Sequence, residues 1–133
     1  MIRTKRAYDA PARADGHRVL VDRLWPRGLK KADARVTEWL KELAPSNDLR
    51  KWFGHDPDRF PEFRARYQKE LSNPAARALL RALARQARGK TVTLVYAAHD
   101  QQHNNATVLA GLLKRRLRGA PRPPAKPPAR RSS

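Results

Sequence analysis

Thr91-Val92-Thr93-Leu94-Val95 is the stretch on which the fold turns. Nearly every residue is apolar or β-branched, the run is too short for a helix, and Gly89 stops the apolar periodicity before it. A strand without polar alternation is covered on both faces, the usual condition of a parallel sheet. Arg18-Val19-Leu20-Val21 has the same character, and Ile2 to Ala7 reads as a further strand. The long helical excursion before Thr91 supplies the crossover that parallel pairing requires. The expectation is an α/β fold: a small, mainly parallel sheet of about three strands with helices packed around it. A helical protein with a peripheral hairpin fits the strand composition less well.

The excursion can be divided by its punctuation. Val36, Trp39, Leu40 and Leu43 recur at helical spacing until Pro45. Ser46 or Asn47 then caps a short helix carrying Leu49, Trp52 and Phe53, which Gly54 ends. Asp56-Pro57 opens the next, with Phe60, Phe63, Tyr67 and Leu71 along one face. Asn73-Pro74 starts another, whose stripe is Ala76, Leu79, Leu80, Leu83 and Ala87. The last helix carries Val108, Leu109, Leu112, Leu113 and Leu117. These aromatic and aliphatic positions are core; Trp25, before Pro26 at a strand end, is the exception and a candidate pocket wall.

A chain of 133 residues is about one domain long. It contains no cysteine, which excludes disulfides, thiol catalysis and cysteine-ligated metals. No run approaches the roughly 20 apolar residues of a membrane span. Ile2-Arg3-Thr4-Lys5-Arg6 follows Met1 without the apolar segment of a secretory signal, so a cytoplasmic protein is expected. Lysine and arginine number 30 against 12 acids, a formal charge of +18. Residues 118–133 are rich in proline and arginine and are expected to be a disordered basic tail beyond a single domain of residues 1–117. Taking the tail's five charges from +18 leaves +13, so the body is itself basic.

Three separated motifs carry a family resemblance: Val19-Leu20-Val21-Asp22-Arg23-Leu24-Trp25-Pro26-Arg27-Gly28-Leu29; Trp52-Phe53-Gly54-His55-Asp56-Pro57 with Phe63, Tyr67 and Glu70-Leu71; and Val95-Tyr96-Ala97-Ala98 with Asn104-Asn105-Ala106. In this order they resemble the YeaO-like bacterial proteins over about residues 1–117. The resemblance implies a small single-domain cytoplasmic α/β protein and no particular activity. The chain also distantly resembles a wider grouping in which an Asp-Val-Arg strand end is followed, after the last strand, by cysteines and a Cys-His-Arg helix start. Asp22-Arg23 matches the first feature, whereas Tyr96 to Asp100 and His103-Asn104-Asn105 fill the second region without a thiol.

Polar residues collect where two strands end, the place at which open α/β sheets hold ligands. Asn104 or Asn105 is suited to cap the last helix, whose free N–H groups and positive end suit an anion; capping alone would equally account for both asparagines. Arg23 and Arg27 flank a turn shaped by Pro26 and Gly28 and offer planar donors for phosphate or carboxylate, or a salt bridge to Asp22 or Asp100. The expected ligand-binding set is Arg23, Trp25, Arg27, His103, Asn104 and Asn105. The expected proton-moving set is His99, Tyr96, Asp100 and Asp22, with His103 or His55 as alternative histidines, His55 equally suited to a turn after Gly54, and Asp22 equally suited to accept hydrogen bonds from loop N–H groups. His99, Asp100 and His103 lack the helical setting that would make their spacing a metal motif, so neither metal nor cofactor is expected. No Gly-x-Ser-x-Gly elbow, dinucleotide fingerprint or Walker loop is present.

Two readings of function follow. In one, the domain binds a small phosphorylated or carboxylated molecule at the carboxyl edge of the sheet, with or without turning it over. In the other, the basic surface and tail bind nucleic acid with little sequence preference.

Overall fold

The computed structural model describes residues 1–119. One sheet is formed by β1 (Ile2–Arg6), β2 (His17–Leu20), β3 (Glu38–Trp39) and β4 (Val92–Tyr96), in the spatial order β1-β4-β2-β3 with every pair parallel. The three expected strands are joined by a fourth. The stretch first quoted becomes β4, which lies between two neighbours and is buried at all five positions. Its register sets Leu94 opposite both Thr4 and Val19, and Val95 opposite both Lys5 and Leu20.

Among the described residues, five α-helices surround the sheet: α1 (Lys31–Ala34), α2 (Asn47–Phe53), α3 (Phe60–Glu70), α4 (Pro74–Gly89) and α5 (Asn105–Gly119). The expected caps appear at Ser46, whose hydroxyl accepts from Leu49 N, and at Asn73, whose amide oxygen accepts from Ala76 N. Gly54 ends α2 in a left-handed conformation. Helix α5 runs two residues past the expected domain limit at 117, and the rest of the expected tail lies outside the described residues.

The expected helix through Val36, Trp39, Leu40 and Leu43 is replaced by β3 and a 3-10 turn at Lys41–Leu43. Trp39 pairs with Leu20, Leu40 N donates to Leu20 O, and the Trp39 indole donates to Asp22 O at 2.7 Å. The parallel edge of β2 thus satisfies backbone groups that a helix would have satisfied internally. Tertiary pairing overrides the local spacing.

The sheet's two faces are built differently. Val19, Val21, Val92, Leu94 and Tyr96 face a large core made with α2, α3, α4 and α5. Leu20, Val95 and Ala7 face a smaller cluster of Trp25, Leu29, Val36 and Trp39 from the connection between β2 and β3. Beside that cluster lies a buried ion network. Asp15, 1% exposed, accepts from Arg18 at 2.7 Å and from Lys5 at 3.1 Å, while Arg18 also donates to the carbonyls of Ala34 and Arg35. Burial raises the Asp15 carboxyl, but hydrogen bonds from Ala12 N, Lys5 and Arg18 outweigh it and hold the group below its usual value. Gly16 next to it has φ +63°, and a Cβ there would stand 2.4 Å from Thr91 O. Only glycine lets β2 begin this close to β4.

Candidate functional site

At adjacent carboxyl ends the chain leaves the sheet toward opposite faces. After β2 it turns onto the face of Trp25, Leu29 and Val36; after β4 it enters α5, which packs on the other face. Such a divergence opens a crevice beyond the strand ends. Here the crevice is a hollow of about 670 Å³, within the size range of small-molecule sites. Arg23, Trp25, Pro26 and Arg27 line it from one side, and His99, Asp100, Asn104 and Asn105 from the other. Phe53 and Phe63, stacked with ring centroids 4.3 Å apart, add an apolar wall.

Asp22 ties the two sides together. Its Oδ1 accepts from the Asn105 side-chain amide and its Oδ2 from Ala97 N, both at 2.9 Å. The same Asn105 amide donates to Val21 O at 2.9 Å. Burial raises the Asp22 carboxyl above the usual aspartate value, and these two hydrogen bonds offset only part of the rise. Asn104 is the cap of α5, accepting from Thr107 N at 2.9 Å, and its amide donates to Asp100 O. Asn105 is thereby free to reach β2. Sequence alone leaves these two roles undivided between neighbouring asparagines.

Arg23 makes neither of the salt bridges considered from sequence. Its Nε donates to Pro45 O at 3.1 Å and its Nη2 approaches Ala44 O at 3.5 Å, which fixes the guanidinium plane at the hollow's edge. Arg27 is exposed, and its carbonyl accepts from the Tyr8 hydroxyl at 2.8 Å, tying the turn to the segment after β1. The Trp25 indole donates to Leu29 O and meets Trp39 edge-on at 5.5 Å, so this aromatic wall is fixed from behind.

Two expected residues stand apart from the hollow. Tyr96 points into the core face, where burial raises its hydroxyl above the usual phenol value; it is poorly suited to move a proton near neutrality. His103 pairs with Asp100 at 2.8 Å and packs edge-on against Phe60 at 5.1 Å. Asp100 accepts from Gln102 N, the His103 ring and His103 N, which hold its carboxyl below the usual value. It organises the loop before α5. His99 lines the hollow, is exposed and makes no hydrogen bond among the described residues, so it is the better placed of the expected proton carriers.

Tyr8 and Arg50 line the hollow in addition to the expected residues, and so does His55, the alternative histidine. Arg50 lies three residues before Phe53 on α2, a spacing that puts both on one helix face and was available in the sequence. His55 has φ +59° directly after Gly54. That backbone turn brings its ring toward Asp22, where its charged form would favour the carboxylate. No group of three or more histidine and acidic side chains capable of holding a metal occurs among the described residues. No helix among them is long and apolar enough to cross a membrane.

Comparison with known proteins places these motifs in context. The profile of the family described as the inactive DUF488-N3 subclade matches residues 1–129. An uncharacterized protein of Mycobacterium tuberculosis is 47% identical over 115 residues, covering 86% of this chain and 95% of its own length. Its counterpart in Mycobacterium bovis matches with the same identity and coverage. The uncharacterized protein YeaO of Escherichia coli is 42% identical over 113 residues, covering 85% of this chain and 96% of its own. No solved structure matches.

Proposed function

The chain belongs to the YeaO-like proteins of the inactive DUF488-N3 subclade, and from that premise we propose that it binds a small phosphorylated or carboxylated molecule in the hollow at the carboxyl edge of the sheet. One observation carries the reading: Arg23, Arg27 and Arg50 line the same hollow as the first turn of α5. Guanidinium groups and helix N-terminal amides both favour an oxyanion, and neither needs the other's hydrogen bonds. Trp25, Phe53 and Phe63 offer an apolar wall for the rest of the ligand. The word inactive in the subclade's description weighs for binding over turnover. So do the involvement of Asp100 in its own loop and the burial of Tyr96. If a proton is moved in this hollow, His99 and Asp22 are the residues at hand.

The test is a thermal-shift screen of the whole chain against phosphorylated and carboxylated metabolites, followed by titration calorimetry of the hits. A ligand selective for the native state raises the melting temperature with concentration. Removing a charge-assisted hydrogen bond costs about 1.5–3 kcal/mol, so R27A and R50A should each weaken a hit by roughly tenfold or more. Both side chains are peripheral enough to leave the fold intact. Unchanged affinity in the two variants would overturn the proposal.

A further inference from the structure

The second feature is a segregation of charge on the side of the molecule built by α4 and α5. These helices, of 16 and 15 residues, contain eight arginines and lysines and not one acid. Arg77, Arg81, Arg85 and Arg88 follow one another along the outer face of α4 and are all exposed. Arg115 and Arg116 of α5 line two shallow grooves with them, and Arg116 borders both grooves, so the surface is continuous. None of the six has a carboxylate partner among the described residues.

Like charges at i and i+4 oppose helix formation by a few tenths of a kcal/mol per pair. Here Arg77, Arg81 and Arg85 repeat that spacing twice, and the buried stripe of Ala76, Leu80, Leu83, Ala84 and Ala87 holds the helix against the repulsion. We infer that this face is a docking surface for the sugar-phosphate backbone of double-stranded nucleic acid, bound without base readout. A helix rises about 1.5 Å per residue, so Arg77 to Arg88 is a row of cations about 16 Å long. That row can follow several successive phosphates.

The chemistry around the row selects the partner. A membrane-surface helix presents apolar residues beside its cations. The exposed large apolar residues, Met1, Tyr8 and Leu24, all belong to other segments. Single-stranded nucleic acid is held by stacking on aromatic rings, and neither α4 nor α5 contains an aromatic residue. A surface of guanidinium groups alone matches a duplex, whose outer face is phosphate. The guanidinium groups displace the cations condensed on those phosphates, so the affinity falls steeply with salt.

The experiment is fluorescence anisotropy of the full chain with a labelled duplex of about two helical turns, repeated from 50 to 300 mM salt as rough limits, and with a second duplex of unrelated sequence. Equal affinity for both duplexes is expected, with a logarithmic salt slope of about −0.9 per phosphate engaged. The R77Q/R81Q/R85Q/R88Q variant keeps good helix formers and should lower both the affinity, by at least roughly tenfold, and the slope, by about two to four. Circular dichroism checks that its helices persist, and separate R85Q and R88Q variants give graded losses if the quadruple variant unfolds. K31Q, at an exposed cation of α1 outside this face, should bind the duplex as the parent does. An unaltered slope in a folded quadruple variant, or tighter binding to phosphatidylserine vesicles than to the duplex, would overturn the inference.

Discussion

The Asn105 side chain donates to the Asp22 carboxylate at 2.9 Å, joining residues 83 positions apart in the chain. The contact clamps the start of α5 to the end of β2, and the hollow is the space left beside the clamp. Replacing Asn105 with alanine strips Asp22 Oδ1 and Val21 O of their shared donor. A partly buried acceptor left unsatisfied costs about 1–3 kcal/mol, so N105A should unfold at lower denaturant with an unchanged m-value. Because Asn104 still caps α5, the helix content of N105A should match the parent. Parent-like stability would show that the clamp does not hold the rim together.

Acid should act through Asp15. Its carboxyl is held below the ordinary value in the folded chain, so its stabilising contribution is present above about pH 3.8 and disappears as the pH falls through the lower folded value. D15N should remove that part of the acid dependence and cost about 3–5 kcal/mol at neutral pH, because Arg18 remains buried without its counter-charge. Denaturant melts of both proteins between pH 2 and 7, as rough limits, measure the difference. Parallel curves would contradict the assignment.

Asp22 has the opposite sign. Burial raises its folded value, so its protonated form is the one folding favours; that contribution is complete below the unfolded value and is lost as the pH rises through the folded one. Protonation also removes a negative charge from the hollow. Sulfate, which does not titrate in this range, should therefore bind more tightly as the pH falls through the raised Asp22 value. D22N should bind sulfate severalfold better at neutral pH and lose that part of the pH dependence. Calorimetric titration of sulfate at several pH values decides it, and a D22N profile identical to the parent's would refute this role for the carboxylate.

The parts of the fold legible in the sequence are those whose signals are local. β2 and β4 announce themselves as apolar runs, and Ser46, Asn73 and Asn104 cap helices at positions where such residues normally do so. β3 is only two residues long, too short to show a period of two, and the spacing of Trp39, Leu40 and Leu43 mimics a helix turn. What makes it a strand is the free edge of β2, which no local pattern contains. The site follows the same division. Arg23, Arg27 and the asparagines were visible as residue types next to strand ends. The burial of Tyr96, the withdrawal of His103 toward Phe60 and the arrival of Arg50 from α2 depend on how helices pack.

The order of the strands leaves β1 and β3 at the outside of the sheet. Open strand edges invite pairing with another chain, and proteins discourage it by keeping such strands short or lining them with charge. β3 offers a stranger only two residues, and β1 brings Arg3 and Arg6 to the boundary, neither with a carboxylate partner among the described residues. A second copy approaching β1 edge to edge would set cation against cation. The sheet thus carries its own guard against growing from one molecule into the next.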